Sequence, residues 1–263
     1  MKQELYREFC RIAYDEAGMY LGADKVTLVE SRVAKRLRAL GIETEEDYLE
    51  FLHSDSTGRE ILCFLDVITT NYTRFMREPE HFDYLRNVMR NELIRGRKTL
   101  RVWCAASSSG EEPYSLGIVL SEMFEGTGVD FRILATDIST RVLKVALAGE
   151  YDEDALEELS EAQRKRFFRK TKDGRFAVKE DLKRRVVFQR LNLSKPPFPM
   201  SGPLNFVFCR NVLMYFDEAG RSGVLKEIER LLAHGGVLFL GHSESLSGID
   251  HGFSMIKPSI YRK

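Results

Sequence analysis

Residues 100–119 read LRVWCAASSSGEEPYSLGIV, and the fold of the chain turns on how they are interpreted. Leu100, Val102 and Cys104 alternate with Arg101 and Trp103, which is the period of a strand. Small residues from Ala105 to Gly110 then lead into Glu111, Glu112 and Pro113, a helix start in which proline leaves no N–H unpaired. A strand, a small-residue turn and a helix form the first βα unit of an α/β domain. Such a turn lets backbone approach a ligand closely. The GxGxxG fingerprint is absent, and two carboxylates at the helix start would repel a pyrophosphate, so a cationic or zwitterionic nucleoside such as S-adenosylmethionine (SAM) fits better than NAD. The plainer alternative is an ordinary βα turn, with Glu111 and Glu112 favourable in a first helical turn.

Beyond that unit, Phe131, Ile133 and Leu134 enter a second strand that ends at Ala135-Thr136-Asp137-Ile138-Ser139. An acidic residue at this tip can accept from ribose hydroxyls, which makes Asp137 the ribose candidate; serving only the turn before a Ser139 cap is the alternative. Lys172-Asp173-Gly174-Arg175 is a turn between short β segments, with Phe176 and Val178 on one side and Val186, Val187 and Phe188 further on. The pattern predicts a small β-subdomain at about 168–190. Asn192, before the Pro196-Pro197 turn, either presents its amide to a base or completes the turn. Leu204 to Asn211 reads as a buried strand with polar groups at its far end, where an open α/β sheet forms its crevice. Asp217 begins a helix, Gly235 to Glu244 holds a further strand, and the segment around Phe253 and Ile260-Tyr261 suggests a closing hairpin. His242 lacks a metal-ligand pattern and reads as structural or pocket-supporting.

Residues 1–70 carry helical punctuation and predict a small helical domain, leaving 71–263 for the α/β domain. Leu5, Phe9, Ile12 and Ala13 mark one helix face; Val26, Val29, Val33, Leu37 and Leu40 mark a second, ended by Gly41. Thr44 with Asp47 resembles a capping box. The second helix carries Arg32, Lys35, Arg36 and Arg38, followed by Glu43, Glu45, Glu46, Asp47 and Glu50. These faces are either solvated or, for the basic one, a dock for an acidic helical protein. Arg77, at the junction, could hold a carboxylate bidentately or be part of a linker.

The 263 residues contain 40 basic and 40 acidic side chains, which argues against a nucleic-acid partner. Four cysteines fall singly, without metal-ligand or disulfide-scaffold spacing. No long apolar run suggests a signal peptide or membrane span, so a cytoplasmic protein is expected.

Five phrases, TTNYTRFMREPEHF, RVWCAASSSGEEPYSLGI, ILATDIST, RNVLMYF and GGVLFLGHSESL, occur in an order that resembles the chemotaxis receptor methyltransferases, which esterify glutamates on bacterial chemoreceptors. The resemblance implies an N-terminal helical domain joined to a doubly wound, SAM-dependent methyltransferase domain with an inserted antiparallel β-subdomain. It implies that Asn71, Thr73 and Arg77 line the cleft, that Glu111 and Asp137 contact the cofactor, and that Asn192, Leu193, Arg210 and Asn211 complete its pocket. Arg77 and Tyr215 are the positions it puts nearest to methyl transfer. It also implies no metal, a monomer, and the helical cytoplasmic domain of a methyl-accepting receptor as partner. The short insert around KTKDGRFAV is similar to members that do not tether themselves to a receptor's C-terminal peptide. A catalytically silent SAM-sensing adaptor and an NAD-dependent oxidoreductase are the competing functions.

Overall fold

The computed structural model describes residues 1–69, 71–94, 96 and 98–263, the side chains of 92–94 excepted. The expected domain boundary at residue 70 lies outside the described residues. Four helices precede it: α1 (Gln3–Ala17), α2 (Val26–Leu40), α3 (Glu45–Ser54) and α4 (Arg59–Ile68). Each presents an apolar stripe to a shared core in which Phe9, Tyr48 and Phe64 are fully buried. The Phe9 and Phe64 rings lie 5.5 Å apart and tilted, within the range where aromatic pairs attract. The Thr44 hydroxyl oxygen accepts from the Asp47 N–H at 3.1 Å, so the N-cap half of the capping box read from the sequence is present; the Asp47 carboxylate accepts from the Thr44 hydroxyl in place of its backbone N–H.

Arg36 departs from its expected place on an open basic face. Its Nε and Nη2 donate to the two oxygens of Glu60, and the Tyr48 hydroxyl donates to Glu60 Oε1 at 2.8 Å. Glu60 is buried, so Arg36 is the counter-ion that lets this carboxylate sit inside the helical core. Periodicity could not separate it from its neighbours, because one helix turn carries both inward and outward arginines. Lys35 and Arg38 are exposed and Arg32 is half-buried.

Helix α5 (Pro79–Ile94) leads into β1 (Thr99–Ala105), and then come α6 (Glu111–Met123), β2 (Asp130–Asp137) and α7 (Thr140–Ala148). A small antiparallel sheet is formed by β3 (Glu150–Tyr151), β4 (Phe168–Lys170) and β5 (Phe176–Val178), with α8 (Glu161–Phe167) between its first two strands. After α9 (Glu180–Lys183), the chain returns to the main sheet through β6 (Val186–Arg190), β7 (Leu204–Cys209), α10 (Glu218–Leu231) and β8 (Leu232–Phe239). It closes with the hairpin β9 (Ser254–Lys257) and β10 (Ile260–Arg262). The main sheet runs β6-β2-β1-β7-β8-β10-β9, parallel from β6 to β8, with the hairpin antiparallel at one edge. This is the doubly wound arrangement expected.

One detail differs from the sequence reading. Val186–Phe188 belongs to the main sheet, where Val186 pairs with Ile133; the small sheet instead recruits Glu150–Tyr151. A short β-branched run reads alike at the edge of either sheet, and only the crossover assigns it. Trp103 follows the alternation read from the sequence. It is fully buried on the sheet face opposite Val102 and Cys104, packs on Phe198, and donates from Nε1 to Thr136 Oγ1 at 2.9 Å. Layers cover both faces of a parallel sheet, so both strand faces must be apolar. Among the described residues, no helix is long and apolar enough to cross a membrane.

Removing one partner of a buried pair leaves an uncompensated charge. Arg36→Ala should therefore cost about 3 kcal/mol, discounted from the fully buried case because the pair keeps some solvent contact, whereas Arg38→Ala should change stability by no more than about 0.5 kcal/mol. Urea unfolding of the two variants checks the contrast.

Candidate functional site

The parallel strands end on one side of the sheet, and β1 lies where strand order reverses, between β2 and β7. A crevice opens at such a switch point. Here it encloses about 1070 Å³, counting its solvent-open mouth, and is lined from both sides of the residue-70 junction. Ala106 and Ser108 come from the turn after β1, Asp137 to Ser139 from the tip of β2, Leu191 to Leu193 from the end of β6, and Arg210 to Val212 from the end of β7. Ala17, Met19, Leu62 and Leu65 from the helical part close it.

The turn after β1 follows from its small residues. Ala106, Ser108 and Gly110 adopt left-handed backbone at φ 63°, 49° and 99°. A side chain at Gly110 would meet Ala146 Cβ and the Tyr151 hydroxyl, each at 2.9 Å, so only glycine fits. This conformation aims the Ser108 N–H at Asp137 Oδ2, 2.8 Å away, while Asp137 Oδ1 accepts from the Ser139 N–H at 2.9 Å. Ser139 also caps α7 through the Val142 N–H. Asp137 thus serves its turn and lines the cleft at once; each oxygen takes one amide and keeps a lone pair for another donor. Burial raises its carboxyl above the ordinary value.

Arg210 is the second fixed point. Its side chain is 1% exposed; Nη1 donates to Glu112 Oε2 at 2.5 Å, Nη2 to the Arg77 carbonyl at 2.5 Å, and Nη2 lies 3.0 Å from Glu78 Oε2. Burial alone would lower the arginine's pKa, but the facing carboxylates of Glu112 and Glu78 raise it overall. Glu112, not Glu111, lines the cleft: Glu111 turns its two oxygens to the Ser109 hydroxyl. Adjacent helix residues point about 100° apart, so choosing between the two required the start of α6 to be known.

The remaining expected residues also converge. Asn71, Thr73, Arg77, Asn192, Leu193, Asn211 and Tyr215 all line the cleft. The side-chain amide of Asn192 is occupied, donating to the Glu16 carbonyl at 2.7 Å and accepting from Ser194, so it ties the wall to α1 and completes a turn. Arg77 donates to the Tyr72 carbonyl at 3.0 Å and lies 6.0 Å from that ring; among the described residues no carboxylate pairs with it. The Tyr215 hydroxyl has no hydrogen-bond partner among them either.

Glu244 was not singled out from the sequence. It is buried, and its two oxygens accept from the backbone N–H groups of Asn211, Val212, Leu213, Met214 and Gly241 at 2.7–3.4 Å. It therefore shapes the 210–216 loop that carries Arg210, Asn211 and Tyr215. A glycine at 241 is needed too, because a Cβ there would collide with Asn211. The signal available in the sequence was a polar residue following a buried strand, which is too common to choose from.

Donor atoms of Glu78, His81 and His242 also come within 4.8 Å of one another, a grouping no local spacing reveals. Burial pushes His81 down to about 3, so its imidazole is neutral, with Nε2 at 2.8 Å from the Ser259 hydroxyl. Because Glu78 Oε2 is already engaged by Arg210, an entering cation would meet the guanidinium on the same oxygen. The group is best read as support for Arg210.

A doubly wound sheet with a cleft at its switch point and a carboxylate at the β2 tip is the class of fold that binds a nucleoside cofactor. Residues 71–262 match the family described as "CheR methyltransferase, SAM binding domain", and residues 4–69 the family described as "CheR methyltransferase, all-alpha domain". The chain is 41% identical over 257 residues to a probable chemotaxis protein methyltransferase of Rhizobium etli, covering 95% of this chain and 96% of the relative. It is 36% identical to the chemotaxis protein methyltransferase of Borreliella burgdorferi (100% and 94% covered) and 34% identical to that of Escherichia coli (97% and 89% covered). The chain belongs to the CheR methyltransferase family, and its larger domain is a SAM-binding enzyme domain.

Replacing Glu244 by glutamine would turn an NH₂ group onto amide donors that now find an oxygen. Stranding buried donors costs about 1–3 kcal/mol each, so Glu244→Gln should lose at least about 2 kcal/mol in urea unfolding and shift the amide resonances of residues 211–214.

Proposed function

We propose that the protein transfers the methyl group of SAM to glutamate side-chain carboxylates of chemoreceptor cytoplasmic domains, giving methyl esters. The observation that carries this reading is the guanidinium of Arg77, paired with no carboxylate among the described residues, on the same cleft as the buried Asp137 carboxylate and the Tyr215 hydroxyl. A cleft of this composition suits a zwitterionic nucleoside at its buried end and an anionic acceptor at its mouth. Asp137 accepts from the ribose hydroxyls, and Glu112 and Arg210 offer opposite charges to the amino-acid end of the cofactor. Asn71, Thr73, Leu193 and Asn211 complete the walls; Glu111 contributes by fixing the turn after β1 through Ser109.

When bound, SAM supplies a methyl already activated on sulfur. A glutamate carboxylate is ionised at neutral pH, so no side chain has to remove a proton. Arg77 orients the acceptor, and Tyr215 donates to it or packs beside the transfer path. Catalysis then rests on alignment and on fixed dipoles replacing water. Radiolabelled SAM incubated with receptor cytoplasmic domains should yield a base-labile methyl ester; its absence with well-folded receptor rejects the reading.

Losing a charged hydrogen bond is worth about 1.5–3 kcal/mol. Arg77→Ala should therefore lower kcat/KM by roughly tenfold to a hundredfold while leaving affinity for S-adenosylhomocysteine nearly unchanged, and Tyr215→Phe should be milder. The Asp137 proposal has its own signature. Because burial raises this carboxyl, protonation neutralises it at a higher pH than an exposed aspartate, so on acidification affinity should begin to fall before an ordinary aspartate would titrate. Asp137→Asn should bind weakly and lose that pH dependence in calorimetry.

With Arg36 committed to Glu60, the basic face proposed for receptor docking reduces to Arg32, Lys35 and Arg38 on α2. Exposed charges steer and orient a partner. Reversing Lys35 and Arg38 to glutamate should weaken receptor affinity about tenfold at low salt, and the difference should shrink as salt screens it.

A further inference from the structure

The small antiparallel sheet contributes no side chain to the cleft, yet its core is continuous with that of the main sheet. Phe75, fully buried two residues before Arg77, joins them. Its ring stands edge-on to Tyr151 of β3 at 5.0 Å and to Phe168 of β4 at 5.6 Å, the arrangement in which aromatic rings attract. Tyr151 is held further by its backbone, which lies opposite Phe176 of β5, and by an edge contact with Tyr114 at 6.3 Å. A ring fixed from several sides aims its hydroxyl in one direction. That hydroxyl donates to the Ser109 carbonyl at 2.8 Å.

The acceptor needs this donor for a reason written in the sequence. Ser109 belongs to the turn after β1, and the residue four places on is Pro113, which has no N–H with which the helix ladder could reach back to that carbonyl. Among the described residues, the Tyr151 hydroxyl is the one donor it receives. From the other side, the same turn is held where the Ser108 N–H donates to Asp137. Left-handed backbone at Ala106 and Ser108 persists only while such contacts over-determine it. These two residues line the cleft, and Tyr151 does not.

We infer that Tyr151 is a positioning residue for the cofactor: its hydroxyl, carried by the small sheet, holds Ser109 so that Ala106 and Ser108 present the turn to a nucleoside bound in the cleft. This rests on reading the cleft as the SAM site. A phenylalanine would fill the same core, so packing alone does not account for the hydroxyl. Satisfying a buried hydroxyl does not require the cofactor turn either, since Tyr114 donates to the Ala146 carbonyl of α7 at 2.9 Å. The small sheet is accordingly part of how the cofactor site is built, and loosening its grip on Ser109 is felt as lost cofactor affinity.

The test compares Tyr151→Phe with Tyr114→Phe. Both tyrosines are buried, both variants keep the ring, each loses one hydrogen bond to a carbonyl, and neither residue lines the cleft. S-adenosylhomocysteine is titrated calorimetrically into each full-length protein, and exchange of the Ser108 amide proton is followed by NMR. Tyr151→Phe should bind about fivefold more weakly, as the loss of one net hydrogen bond implies, and should exchange the Ser108 amide faster. Tyr114→Phe should stay within about twofold of wild type in affinity despite a similar drop in urea midpoint. An equal loss of affinity in the two variants overturns the inference, because both hydroxyls would then act only through general stability. Unchanged Ser108 exchange in Tyr151→Phe overturns it as well, since the effect would not pass through the turn. So does wild-type affinity in Tyr151→Phe. With Asp137→Asn weakened as expected, that last result removes the role of Tyr151 alone; were Asp137→Asn also to bind as wild type, the cleft would lose its cofactor role and the inference would fall with it.

Discussion

The site depends on a buried arginine. Desolvating a guanidinium is costly unless its donors are paired in good geometry, and Arg210 meets that condition only because three separate segments arrive together. β7 delivers the arginine, α6 delivers Glu112, and the junction delivers Glu78 and the Arg77 carbonyl. None of these segments is close to the others in sequence. The ion pair therefore fixes the junction against the end of the sheet. Arg77 gains its place through its backbone, while its side chain stays free of carboxylates for other work.

Holding these segments in place has a conformational cost that is not spread evenly. Six non-glycine residues among those described have left-handed backbone, and five of them, Met76, Glu78, Ala106, Ser108 and Asn211, belong to the junction or to the loops that form the cleft. Such residues persist only where the surroundings over-determine them. The surroundings here can be named: the Met76 N–H donates to the Ser115 hydroxyl, Ser108 is pinned by Asp137, and Asn211 by Glu244. A reaction that needs no proton transfer gains most from such rigidity, since alignment of acceptor, methyl and leaving sulfur is what the protein can contribute.

Much of this was legible in the sequence, and the limits have a common cause. The first βα unit, the helical start of the chain and Asp137 at the β2 tip were readable because period and turn chemistry are local. The residues that line the cleft were named through the resemblance, not through spacing. What stayed hidden depends on tertiary direction: whether Glu111 or Glu112 faces the cleft, whether Arg36 points inward to Glu60, and which sheet takes Val186–Phe188. Helix α5 escaped because its apolar residues are mixed with charges along most of its length, and Glu244 because a cap made of backbone amides leaves no side-chain pattern.

The cleft has two unlike ends, and the difference matters for selectivity. At the sheet end the polar groups are buried, paired and immobile, which suits one cofactor bound in one pose. At the mouth the groups are more open and less committed: Arg77 and Tyr215 are half-buried, and Tyr72 is exposed. Exposed side chains re-pack at little energetic cost, so the same rigid transfer geometry can be offered to more than one acceptor sequence. On the proposed reading, the buried end sets what is transferred and how fast, while the open end sets which glutamates reach it. Substitutions at the two ends should accordingly separate cofactor affinity from receptor choice, because the backbone between them is held by Arg210 on the Arg77 carbonyl, by Ser115 on the Met76 N–H and by Ser108 on the Asn71 carbonyl.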